Sequence, residues 1–269
     1  MRRSILSMMR MLPKGPRMYG RLSRYASEYG KHDEADVYRF IQDCFTAFME
    51  ASGIDFEVAG ADNIPLKGGF VLYPNHQSFL DIPAVVLGCP RPIAAVMKKE
   101  LASMPVVKQL AAATGSHCLD REDDKQAIKV IRDVSAEVKA GRGYLVFPEG
   151  TRSRTGELLN FKAGSFKCVT RAKRPIVPVA IEGTRDALSS SSSSPWCIRT
   201  HFLEPIAFEH YEPMSSREIA GESRAASRRN APRLRRARAS RRMRSKDKHG
   251  CLSSIYEKFT QPLHSGVVR

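Results

Sequence analysis

The chain has 269 residues, 42% hydrophobic and 27% charged. That is enough for one large domain or two small ones, and too apolar for a wholly disordered protein. Lys and Arg number 44 against 28 acidic residues, and the net charge of +16 points to a polyanionic partner: nucleic acid, an anionic membrane surface or phosphorylated substrates.

The first 31 residues interleave Arg2, Arg3, Arg10, Lys14, Arg17, Arg21, Arg24 and Lys31 with Met8, Met9, Leu12, Met18 and Leu22. Such a segment suits an anionic bilayer, or a solvated terminus. Val37, Phe40, Ile41, Cys44, Phe45, Phe48 and Met49 then recur at helical steps, predicting a helix over Glu34–Ser52 that Gly53 ends. From Ile54 strands and helices alternate. Strands are expected at Ile54–Val58, Gly69–Tyr73, Ile93–Met97, Tyr144–Phe147, Ile176–Ile181 and Ile198–Leu203. Helices are expected at Ser78–Leu87, Lys99–Ala113, Asp123–Ala140 and Ser165–Arg171. The alternation predicts an α/β fold, a mainly parallel mixed sheet flanked by helices behind an N-terminal amphipathic helical segment. Ser189–Ser194 reads as a surface loop.

Six scattered cysteines without a Cys-x-x-Cys pair read as reduced thiols, not as a disulfide framework or zinc site. No apolar run reaches the roughly 18 residues of a transmembrane helix. No metal or cofactor is expected.

Four groups of residues carry chemistry. Asn75-His76-Gln77-Ser78-Phe79-Leu80-Asp81 follows a strand and opens a helix. A His in the turn and an Asp in the first helical turns can meet, giving a proton acceptor whose tautomer the carboxylate fixes. The same spacing also suits a surface hydrogen bond or a helix cap. Leu119-Asp120-Arg121 ends another strand. Phe147-Pro148-Glu149-Gly150-Thr151-Arg152-Ser153-Arg154 gathers backbone N–H groups and guanidiniums into a loop fit for phosphate, or into an ordinary solvated turn. Pro178 within Ile176–Ile181 favours an edge strand or a bulge.

In this order the four groups resemble the glycerophospholipid acyltransferase family of the 1-acylglycerol-3-phosphate acyltransferase type. Asn75, His76 and Asp81 match its first motif, Arg121 the end of its second, Phe147 to Ser153 its third residue for residue, and Pro178 its fourth. Lys98, Glu100 and Leu101 match a Lys-x-Glu-Leu element, and the likeness covers about residues 54 to 206. The resemblance implies transfer of a fatty acyl group from acyl-CoA or acyl-carrier protein to a lysophospholipid hydroxyl. It makes His76 the general base and Asp81 its partner. Arg121, Arg152 and Lys98 would bind the acceptor phosphate, Glu149 would hold the acceptor or the neighbouring arginines, and Gly150 and Thr151 would shape the loop. Arg154 is expected to be solvated. Lysophosphatidic acid leads as acceptor, with lyso-ornithine lipid as the alternative, at the cytoplasmic face of a membrane held peripherally.

These readings divide the chain into a membrane-association segment (1–52), an acyltransferase domain (53–212) and an irregular Arg-rich tail (213–269). From Arg217 to Lys248 there are 13 basic and 3 acidic residues, so this stretch carries +10 of the +16. A rival class is non-specific nucleic-acid binding by the tail. No aromatic residues are interleaved there, so nucleic acid is not expected as the main partner. Ser223–Arg244 also lacks the three- or four-residue apolar period of a closing helix, which suggests a frame-altered or degenerated terminus.

Overall fold

The computed structural model describes residues 13–187 and 196–241, with side chains as far as residue 229. The expectations for residues 1–12, the serine run and the stretch beyond 241 lie outside the described residues.

Two helices come first. α1 (Gly15–Ser27) has Pro16 in its first turn. α2 (Glu34–Ala51) is capped by Asp33, whose Oδ1 accepts from the N–H groups of Ala35 (2.8 Å) and Asp36 (3.2 Å). The strands follow as β1 (Ile54–Ala59), β2 (Phe70–Pro74), β3 (Ile93–Lys98), β4 (His117–Leu119), β5 (Gly143–Leu145), β6 (Ile176–Glu182) and β7 (Trp196–Phe202). Between them lie α3 (Asp81–Gly88), α4 (Pro105–Ala113), α5 (Asp124–Lys139) and α6 (Lys167–Ala172), and α7 (Phe208–Tyr211) and α8 (Ser216–Arg241) close the chain.

The seven strands form one sheet in the order β1-β7-β6-β2-β5-β3-β4. Every neighbouring pair is parallel except β6 and β7. The mainly parallel mixed sheet flanked by helices is the expected fold class. β2 is buried along its whole length, as a strand covered on both faces must be. Phe70 and Leu72 enter one helical layer, with α1 to α4; Val71 and Tyr73 enter the other, with α5, α6 and α8.

The described part of residues 1–52 is no appendage. Leu22 and Tyr25 of α1 and Val37, Ile41 and Met49 of α2 are buried in the same core as Leu72 and Val85. The phenylalanine-rich face of α2 packs on the body, with Phe40 buried and Phe45 and Phe48 against the cluster. α2 also satisfies carbonyls at the end of α3. Gln42 Nε2 donates to the Val86 (2.9 Å) and Cys89 (3.1 Å) carbonyls, and the Tyr38 hydroxyl donates to Val86 (3.2 Å). The helix that begins with Asp81 is thereby pinned from its far end.

Three expectations change. The helix foreseen over Lys99–Ala113 is two pieces, a 3₁₀ turn at Lys99–Ser103 and then α4. Met104 between them is extended (φ −80°, ψ 120°), because a residue ahead of a proline is pushed out of the helical region. Pro178 sits on an interior strand, where a missing N–H should cost a ladder bond. From the Val179–Phe202 pair to the Ile176–Ile206 bridge, β6 advances three residues and its partner four. That extra residue is a bulge on the partner strand opposite Pro178, whose carbonyl accepts from the Leu203 N–H at 2.9 Å.

The third change is the tail. Ser216–Arg241 is helical, not irregular, and its first turns are part of the core: Ile219, Ala220, Ser223 and Ser227 are buried. This stripe recurs at helical spacing but is built mainly of small residues, which let α8 lie close on β6. The Ser227 hydroxyl reaches the Val179 carbonyl (3.5 Å) and the Ser223 carbonyl (3.3 Å). A search for large apolar residues misses such a stripe, so the absent period gives no sign of a degenerated terminus through residue 229.

Candidate active site

Because β2, β3, β4, β5 and β6 run the same way, the segments following them share one edge of the sheet, the usual place for a site in a parallel α/β fold. His76 follows β2, Lys98 ends β3, Arg121 follows β4 and Glu149 follows β5.

The turn after β2 is set by Asn75. Its buried side chain pairs with the Ile181 backbone, Nδ2 donating to the carbonyl (3.0 Å) and Oδ1 accepting from the N–H (2.7 Å). This extends the β2–β6 ladder one step past Pro74. The chain then turns into α3, and His76 and Asp81 meet as expected: His76 Nδ1 is 2.7 Å from Asp81 Oδ2. Asp81 is fully buried. The same oxygen accepts from the N–H groups of Gln77 (2.6 Å) and Ser78 (2.8 Å), so three donors converge on one carboxylate oxygen at a helix N-terminus. An acceptor on Nδ1 makes that nitrogen the proton carrier and leaves Nε2 as the base. The His76 side chain is 19% exposed, enough for a substrate to reach.

The segment after β5 wraps this turn. The Phe147 ring stacks on the imidazole (centroids 4.0 Å, planes 28° apart) and fixes its plane. The Ser153 N–H donates to the His76 carbonyl at 2.8 Å, and the Ser153 hydroxyl accepts from the Gly156 N–H at 3.1 Å. Glu149 is only 2% exposed, and its Oε1 accepts from the His76 N–H at 3.1 Å, so this oxygen holds the backbone of the base. Burial pushes its carboxyl up to about 7, helped by the Asp81 charge; the N–H groups of His76 and Leu159 and the Arg224 charge pull the other way.

The cations are distributed around the loop. Arg121 Nη1 donates to the Gly150 carbonyl. Gly150 is left-handed (φ +71°), and a Cβ there would lie 3.1 Å from the Cε and Nζ of Lys162. Arg121 and Lys162 therefore meet at one glycine. Lys162 was not foreseen; its signal is the run Phe161-Lys162-Ala163-Gly164, whose small residues let the 3₁₀ turn at Ala163–Phe166 form behind the loop. The Arg152 guanidinium lies 4.3 Å from the centroid of the Phe79 ring, which belongs to the His76–Asp81 segment, and Thr151 and Arg154 are exposed. Lys98 is half-exposed and pairs with Glu100 at 2.7 Å.

Fold and site together define a three-layer α/β protein with a histidine–aspartate dyad beside a cationic loop. The Acyltransferase family model matches residues 55–182. The chain is 30% identical over 174 residues to the 1-acyl-sn-glycerol-3-phosphate acyltransferase of Escherichia coli (strain K12), covering 64% of this chain and 71% of that protein. It belongs to the acyltransferase family. The enzyme of the same name from Saccharomyces cerevisiae is 35% identical over 173 residues, 62% of this chain and 57% of the yeast protein, so the chain spans little more than half of that relative. The crystal structure of the 1-acyl-sn-glycerophosphate (LPA) acyltransferase PlsC from Thermotoga maritima superposes with a TM-score of 0.69 at 24% identity, over 87% of this chain and 96% of that one, and shares the fold.

Proposed function

We propose that this protein transfers a fatty acyl group from a thioester, acyl-CoA or acyl-carrier protein, to the free hydroxyl of 1-acylglycerol-3-phosphate. The observation that carries the reading is the ordered His76–Asp81 pair beside the Arg121–Lys162 cations at Gly150. His76 Nε2 takes the proton of the acceptor hydroxyl as its oxygen attacks the thioester carbonyl. The tetrahedral adduct expels the thiolate, which leaves as the thiol with the proton that His76 returns. Asp81 stabilises the imidazolium between the two transfers. No enzyme nucleophile is required, since the activated alcohol attacks directly. The names of the relatives support the same acceptor. The test is an acylation assay on purified protein with lysophosphatidic acid, a lyso-ornithine lipid and an unphosphorylated monoacylglycerol. Preferential turnover of lysophosphatidic acid supports the reading; preference for the monoacylglycerol overturns it.

Lys162 supplies the discriminating arm. Lys162→Ala is expected to raise KM for lysophosphatidic acid about tenfold, the worth of one charge-assisted hydrogen bond, with little change in kcat. Lys162→Arg should restore most of the loss, and KM for the monoacylglycerol should not move.

Peripheral attachment to the cytoplasmic face of a membrane completes the proposal. No described helix is long and apolar enough to cross a bilayer. Lys14, Arg17 and Arg24 are exposed on or beside α1. Lys14→Gln with Arg17→Gln should weaken binding to phosphatidylserine vesicles by about 1 kcal/mol per charge, with little effect on neutral vesicles. Equal sedimentation of wild type and variant with the anionic vesicles would exclude α1 as the contact.

A further inference from the structure

Among the described side chains of the Arg-rich helix α8, Arg217, Arg228 and Arg229 are exposed and Arg224 is partly buried. Arg224 reaches back to the segment following the Phe147–Ser153 loop, its Nε donating to the Leu159 carbonyl (2.8 Å) and its Nη2 to the Leu158 carbonyl (3.0 Å). A planar guanidinium makes two such bonds at fixed geometry, which a lysine ammonium cannot reproduce. The helix itself is held on β6 by the buried stripe Ile219, Ala220, Ser223 and Ser227, so the anchor for this grip is rigid. On the other side of the gripped segment lies Glu149, and beyond it the His76 N–H.

We infer that Arg224 is a positioning residue for the dyad: it fastens the Leu158–Leu159 backbone behind Glu149, and Glu149 holds the main chain of His76. The inference rests on the proposed function for its kinetic consequence, not for its geometry. Displacing a base by as little as an ångström costs about a hundredfold in rate, so a support two contacts away from the imidazole is felt in kcat more than in KM. The charged groups around Glu149 are Asp81 at the start of α3, His76 in the turn before it and Arg224 on α8, with Arg121 and Lys162 at the adjoining Gly150 and Arg152 further along its own loop. Among these the Arg224 charge favours the Glu149 carboxylate.

Arg224→Met is expected to lower kcat about ten- to a hundredfold with KM changed less than about threefold, and to move the acid limb of the kcat profile to higher pH. Arg224→Lys keeps the charge but loses the fork, so kcat should fall while the acid limb stays in place. Arg228→Met, an exposed position on the same helix, should behave as wild type. Hydrogen exchange at the His76 amide reads the same support without turnover, and should be at least about tenfold faster in Arg224→Met than in Arg228→Met. If Arg224→Met and Arg224→Lys keep wild-type kcat, pH profile and His76 exchange, the inference is wrong. If wild type acylates no lysolipid while exchange at His76 responds to Arg224→Met, the acyl-transfer reading falls and the positioning role stands.

Discussion

Replacing His76 by Ala should lower kcat for acyl transfer about 10²–10⁴-fold, the usual worth of a positioned general base, while KM for lysophosphatidic acid changes less than about threefold. The imidazole removes a proton and does not grip the headgroup, so the loss belongs to the transition state alone. Asp81→Asn tests the other half of the pair. Asp81 Oδ2 receives His76 Nδ1 and the N–H groups of Gln77 and Ser78, in full burial. A neutral amide oxygen can keep the backbone donors but no longer balances the imidazolium, and an amide NH₂ turned toward Nδ1 would select the tautomer with its proton on Nε2. Either arrangement lowers kcat on the scale of the histidine deletion. Asp81→Asn should also lower the melting temperature, since three donors lose an ionic acceptor. His76→Ala, at a partly open position, should not. Steady-state kinetics beside thermal denaturation of both variants separates the two effects, and undiminished turnover by His76→Ala would remove the mechanism.

What the amino-acid sequence discloses about this site follows the range of each contact. His76 and Asp81 lie in one turn, so their meeting is a local matter of spacing and is legible without coordinates. The parallel sheet is likewise local, since alternating apolar strands and amphipathic helices leave few other packings. Glu149 is different. Its neighbours in the chain are Pro148 and Gly150, which suit an open phosphate loop. Only the adjacency of β2 and β5 brings the His76 N–H to it and turns the carboxylate inward. The Arg121–Lys162 convergence has the same character, because it depends on loops after β4 and β5 closing on one glycine. α8 shows a failure of another kind. Its periodicity is present, at 219, 220, 223 and 227, but is written largely in Ala and Ser, which burial scales score as neutral. The arginines between them, which dominate the composition, hide the stripe and also conceal Arg224, whose hydrogen bonds to Leu158 and Leu159 set it apart from its neighbours.

Glu149→Gln should make the protein more stable and less active, with a sign that depends on pH. Burial holds the Glu149 proton in the folded protein up to about pH 7, whereas the unfolded chain releases it near the ordinary 4.5. Between those values the folded state binds more protons than the unfolded one, so stability falls as pH rises and the loss is complete above about 7. At about 1.4 kcal/mol for each tenfold difference in proton affinity, the penalty at pH 8 is on the order of 3 kcal/mol. Glutamine carries no charge to desolvate, and its amide oxygen can still accept from the His76 N–H, so the variant should gain up to that amount at pH 8 and almost nothing at pH 4. Its kcat should drop at pH 8, because the negative charge that faces Arg224 behind the base is gone. A buried acid retained against the stability of the fold is what a functional group looks like energetically. Denaturant titrations of both proteins at pH 4, 6 and 8, with kcat measured at pH 6 and 8, decide it. A stability difference that does not grow between pH 4 and 8 would show that Glu149 is not held protonated by burial. Unchanged kcat at pH 8 would show that the Glu149 charge takes no part in steadying His76.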